Sequence, residues 1–213
     1  GTFFRESDPD SIRGTQTVLQ VGSLLAAEPA TSAAMRTVLS YSLDDIPEGT
    51  IVTGAKLKLH MLRLDETGGA FTELNLHLAD LPDNFDEDAC SWNFLGTDEF
   101  GFGIPWDANG PGNPTSTLLD SIDWADFPSP GEKVIFESAA FLAAIQAAID
   151  GNTPLDLVLT SPVETSGQRV FMEFASDDNA DSFFRPVLEL TYTQIPEPSA
   201  TMLLLSASLA ALA

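Results

Sequence analysis

Between residues 2 and 193 the apolar positions fall into short runs separated by turn residues. Lys56-Leu57-Lys58-Leu59-His60-Met61 alternates strictly, placing Leu57, Leu59 and Met61 on one face. Leu74, Leu76 and Leu78 repeat that pattern against Glu73, Asn75 and His77. Gly68-Gly69 lies between the two runs, so they are expected to pair as a hairpin with a loop of several residues. Thr17 to Val21 closes at Gly22, and Met35 to Leu43 breaks at the Pro47/Gly49 turn. Lys133–Phe136, Leu155–Leu159, Val170–Phe174 and Val187–Tyr192 supply further strands.

One segment has the helical period instead. Phe141, Leu142, Ile145, Ala148 and Ile149 share a face over Ser138–Asp150, with Ser138 as N-cap and Gly151 in the C-cap position. Many short strands and a single short helix predict an all-β fold, an antiparallel sandwich spanning residues 1–194. Residues 81–130 are the irregular part and hold all three tryptophans. Long loops of this kind in a compact domain are often functional.

Charge narrows the partners. The 213 residues include 32 Asp and Glu against 9 Lys and Arg, a net charge of −23. Nucleic acid needs a basic footprint and is excluded as a partner; anionic lipid surfaces are disfavoured for the same reason. Neutral or cationic glycans are favoured over polyanions such as alginate. The single Cys90 rules out an intrachain disulfide framework and reads as a small buried hydrophobe. No Gly-x-Ser-x-Gly elbow, His-Glu-x-x-His pair or Gly-Lys-Ser/Thr phosphate loop occurs, so the expectation is a protein that is not an enzyme.

Candidate binding residues are few. Trp106 precedes the turn-rich Asp107–Gly112, and Trp124 lies in another acidic loop; either ring is a candidate platform for a sugar face. Trp92 is assigned to the core. Calcium needs hard oxygen donors in loops. Asp177, Asn179 and Asp181 start like an EF-hand loop, but Ser182 replaces its Gly and Leu188 its closing Glu. A looser calcium site is a candidate there or around Asp83, Asp86, Glu87 and Asp88. His60 and His77 are expected to be solvated on the polar faces of two strands, and Arg185 to pair with a loop acid.

Two resemblances add to this reading. Asp8-Pro9, Gly14, the strand closed by Gly22, Arg36, Ile46-Pro47-Glu48-Gly49, Ala55-Lys56-Leu57-Lys58-Leu59, Ser91-Trp92-Asn93, the helix before Gly151 and Arg185-Pro186-Val187-Leu188-Glu189-Leu190-Thr191-Tyr192 occur in an order that resembles the DNRLRE-domain family. That family is related to family 96 carbohydrate-binding modules. This chain departs from the family at Gly1, where an Asp is common, and after Ser176, where Asp177-Asp178 stand in place of a basic residue. The resemblance implies a jelly-roll-like sandwich without a catalytic centre, associated with extracellular polysaccharide.

The second concerns residues 195–213. Pro196, Glu197 and Pro198 precede fourteen uncharged residues from Ala200 to Ala213, which resembles a PEP-CTERM sorting signal, though without that signal's closing basic cluster. It implies export to the bacterial cell surface or matrix, handling by an exosortase-type enzyme, and only transient membrane contact. No signal peptide is read at Gly1-Thr2-Phe3-Phe4-Arg5. The other expectation, from a different class, is a self-assembling structural subunit of an extracellular matrix or filament.

Overall fold

The computed structural model describes residues 1–24, 34–47, 49–82, 85–106, 111–112, 114–166 and 168–194. Among the described residues there are twelve strands, β1 (Thr2–Arg5), β2 (Val18–Ser23), β3 (Ala34–Tyr41), β4 (Thr50–Asp65), β5 (Glu73–Ala79), β6 (Phe94–Thr97), β7 (Gly103–Pro105), β8 (Pro114–Asp123), β9 (Lys133–Phe136), β10 (Leu155–Thr160), β11 (Val170–Ala175) and β12 (Val187–Gln194), with one α-helix, α1 (Ala139–Gly151). Every pairing is antiparallel. The main sheet runs β12-β4-β11-β2-β3-β10-β5-β8, with β1 added on β3 and β9 on β4; β6 and β7 form a separate hairpin. The predicted all-β, sandwich-like fold is what the chain adopts.

The sheet curls because β4 serves two layers. Its first part, Thr50 to His60, pairs with β12 and β9, and its last part, Met61 to Asp65, pairs with β11. Register slips beside Thr53 and Leu62 give the strand the extra residues that bend it. Leu57, Leu59, Leu74, Leu76, Leu157, Leu159, Met172 and Phe174 meet inside the curl with no exposure, and Phe141 and Ile145 of α1 close it.

Two local expectations need correcting. β4 and β5 do not form a hairpin: β5 pairs with β8 and β10, so residues 66–72 cross between layers. Gly68 is there because its amide donates to Arg169 O at 2.9 Å, and a Cβ would come within 2.6 Å of that residue's backbone nitrogen. The helix also runs one residue further, to Gly151. Asn152, at φ 49°, takes the left-handed cap position, a conformation Asn tolerates better than most residues.

Ser138 caps the helix as expected. Its Oγ accepts from Phe141 N at 3.0 Å and donates to Leu119 O, tying α1 to β8. Ser138→Ala is expected to cost about 1 kcal/mol, measured by urea unfolding; a Tm equal to that of the parent would show that the cap contributes nothing.

Candidate functional site

A second, smaller core covers the outer face of the sheet. Phe4 of β1, Val38 of β3 and Val158 of β10 pack there against Cys90, Leu95 and Trp106 from the irregular segment. Trp106 is therefore not a sugar platform. It is 9% exposed, meets Phe4 edge-to-face at 5.2 Å, and its Nε1 donates to Ser91 O at 2.9 Å. A ring beside outward-facing apolar strand positions is worth more as packing than in solvent. Trp92 is half-buried against the same cluster, with the Arg36 guanidinium 5.8 Å from its ring centre. Cys90 is buried and its thiol is pushed up to about 12, chiefly by burial. Trp124 begins a 3-10 turn, Trp124–Asp126, but its side chain lies outside the described residues.

The acidic candidates are placed as follows. Asn179 Oδ1 accepts from Asp181 N at 3.0 Å, and Asp181 Oδ1 accepts from Phe183 N at 3.0 Å. These are side chains closing turns on their own backbone. Asp177 Oδ1 and Glu87 Oε1 both lie 2.8 Å from the Gly1 amino group, so the two acidic loops do approach each other. Burial raises the Glu87 carboxyl above its usual range, against the pull of that amino group. Asp86 Oδ1 takes Asp88 N at 3.0 Å, and Asp83 lies outside the described residues. Among the described residues no three His, Cys, Asp or Glu side chains are grouped to hold a metal ion. Arg185 donates from Nε to the Asn179 carbonyl at 2.9 Å rather than to an acid.

Only His60 departs fully from the expectation of solvated histidines, and the two lie on strands that do not pair. His60 is buried on β4 beneath Phe184, with ring centres 4.3 Å apart, while His77 is half-buried on β5. Burial, reinforced by Lys133, lowers the His60 pKa; burial, reinforced by Arg36, lowers that of His77. Pro196, Glu197 and Pro198 lie outside the described residues.

What the outer face presents to solvent is a pair of phenylalanines. The β6–β7 hairpin is anchored by Leu95 and Ile104 in the second core and turns through 98–102. Phe100 is 76% exposed and Phe102 71%. The tip is braced by Asp98, whose Oδ1 accepts from Phe100 N at 2.9 Å and Phe102 N at 2.8 Å, while its own amide donates to Phe102 O at 2.8 Å. Gly101 sits at φ +82°, a turn geometry that other residues rarely adopt. Two rings are thus held in water by a tight backbone turn, an arrangement that stability alone does not call for. The signal was present in Asp98-Glu99-Phe100-Gly101-Phe102-Gly103, where aromatic and glycine alternate.

In comparisons with known proteins, no family model matches the chain and no curated protein is significantly similar to it.

Proposed function

We propose that this chain is a non-catalytic, exported bacterial surface or matrix protein whose sandwich binds polysaccharide, as the DNRLRE and family 96 resemblance implies. The observation that carries it is the braced hairpin tip exposing Phe100 and Phe102. Aromatic rings pack on the apolar faces of sugars, and a rigid tip offers them at little entropic cost. The net charge of −23 directs the choice toward neutral or cationic glycans. The PEP-CTERM-like segment at 195–213 supplies the route to the surface, through an exosortase-type enzyme.

Affinity electrophoresis of the full chain through gels holding neutral glucan, galactomannan, chitosan or alginate tests this. Retardation by a neutral or cationic polysaccharide is expected. The paired change Phe100→Ser and Phe102→Ser should abolish most of it with stability shifted by no more than about 0.5 kcal/mol, since both rings are in solvent. Equal retardation of parent and variant would remove the tip from the binding surface.

A self-assembling matrix subunit is the second reading, favoured by β12. Among the described residues this strand pairs only with β4, so its outer edge of eight residues, with Glu189 as its lone charge, is open to a further strand. Concentration-dependent oligomers on size exclusion, without glycan retardation, would favour it over polysaccharide binding.

A further inference from the structure

Among the described residues four strands of the main sheet, β1, β8, β9 and β12, are paired on one side only, and three of them are guarded against a further strand. β1 and β9 are four residues long, and β8 carries Pro114, Asp120 and Asp123. Asp120 also ties β8 to the start of the helix, its Oδ2 accepting from Glu137 N at 2.8 Å and Ser138 N at 3.1 Å. β12 has none of these devices. Its eight residues hold no proline and no lysine, and Val187, Thr191, Tyr192 and Thr193 all favour strand. The register slip beside it leaves the extra residue, Thr53, in β4, so β12 itself runs without a bulge.

Its one charge, Glu189, is countered from the neighbouring strands. All three lysines of the chain, Lys56, Lys58 and Lys133, stand on the outward face of β4 and β9, alternating with the inward Leu57, Leu59 and Val134. Glu189 lies opposite Lys56 in the ladder and accepts from Lys58 Nζ. That bond and the Lys58 charge, with Lys56 and Lys133 further off, hold the Glu189 carboxyl below its usual range. Lys56 also pairs with Glu137 at 2.6 Å. Lys133 forms no ion pair among the described residues, and its ammonium lies 4.9 Å from the centre of the exposed Phe183 ring. In a chain of net charge −23, three of the nine cationic side chains thus border one open strand.

We propose that β12 is a docking edge for a second copy of this chain, paired antiparallel about a two-fold axis, and that the three lysines beside it let two acidic copies approach there. The proposal rests on the self-assembly reading above and uses no residue of the Phe100/Phe102 tip. Away from such a patch the charge on each copy opposes contact, and the repulsion is least where the cations gather. A two-fold axis normal to the sheet sets the edge against itself antiparallel and keeps both outward faces on one side. With Leu190 on that axis, Glu189 faces Thr191 of the second copy and not another carboxylate, and Val187 faces its Thr193. Cross-strand pairs of β-branched residues are favourable, and the pairing covers part of the exposed Val187 and Tyr192. The unpaired N–H and C=O groups along the edge gain partners at the same time.

Sedimentation velocity of the full chain over a range of concentrations is the test, with urea unfolding to confirm that each variant is folded. A monomer–dimer equilibrium is expected. Thr191→Glu sets a carboxylate against Glu189 twice in the two-fold dimer and should weaken it about tenfold. Lys58→Gln unmasks Glu189 and should weaken the dimer several-fold at low salt, a loss that shrinks as salt is added. Adding Glu189→Gln to Lys58→Gln should restore the parent's affinity. If the chain oligomerises and Thr191→Glu changes nothing, the β12 assignment is wrong while the self-assembly reading stands on another surface. If Thr191→Glu weakens the dimer and Lys58→Gln does so at no salt concentration, the role given to the lysines is wrong. A chain that stays monomeric at every concentration overturns both the edge and the self-assembly reading.

Discussion

Trp106→Ala is expected to destabilise the protein by about 3–5 kcal/mol, the range for deleting a large buried aromatic. For a domain of this size that lowers Tm by about 10 °C. The loss has three parts: the ring's contact with Phe4 at 5.2 Å, its packing beside Phe85 at 6.1 Å, and the hydrogen bond that satisfies Ser91 O. Trp106→Phe keeps most of the packing and gives up the hydrogen bond, so it should cost about 1 kcal/mol more than a pure volume change. Thermal or urea unfolding separates the two variants. A ring serving as a sugar platform would behave oppositely, with Tm unchanged and glycan retention lost; that outcome would sink the second core as described.

The same residue shows where sequence reading stops. Strict alternation identified β4 and β5 because one face of each meets the interior and leaves the other largely polar. Alternation does not show where a strand is covered on both sides. Phe3 and Phe4 are consecutive and both buried, as are Val38 and Leu39, because the second core lies on the outer face. Nothing local to Trp106 announces that cover, since the acids and glycines that follow it look like a loop tip. β8 escaped for another reason. Its register slips at Leu119 and again before Ala79 of β5, so Leu118 is exposed and Leu119 buried, and no period of two survives.

The candidate sites divide in the same way. The Phe100/Phe102 tip was readable, because glycine alternating with aromatic in four consecutive residues defines a tight turn carrying rings. The grouping of Arg36, Asn75, His77 and Glu164 around one open cleft was readable only in part. Asn75 and His77 follow from alternation as neighbours on one face of β5, but Arg36 and Glu164 join them from 128 positions apart through strand order, which local pattern does not encode.

Acid sensitivity is expected to run through Asp65. This carboxylate is buried at the end of β4 and accepts four hydrogen bonds: Oδ1 from Thr67 N at 3.1 Å and Thr67 Oγ1 at 2.7 Å, Oδ2 from Arg63 Nη2 at 2.6 Å and Arg169 Nε at 2.9 Å. It thereby fastens β4 to the start of β11 and fixes the crossing toward β5. The two guanidiniums also flank Phe171 at 5.4 and 5.6 Å. The Thr67 hydroxyl first, then Arg169, holds the carboxyl well below its usual range, outweighing burial. A depressed carboxyl contributes stability that is present above its unfolded pKa of about 4 and lost as pH falls through the folded value. Both arginines are nearly half exposed, so water screens their share. With that discount Asp65→Ala should cost about 2 kcal/mol at neutral pH. Asp65→Asn, which keeps an acceptor for Thr67 but no charge for the arginines, should cost less. The informative quantity is the difference between parent and variant, because acidification also relieves repulsion among 32 acidic residues and so moves both curves together. Urea unfolding from neutral pH to below the carboxylate range should show the gap closing as pH falls. A gap that stays constant would mean Asp65 acts through its shape and not its charge.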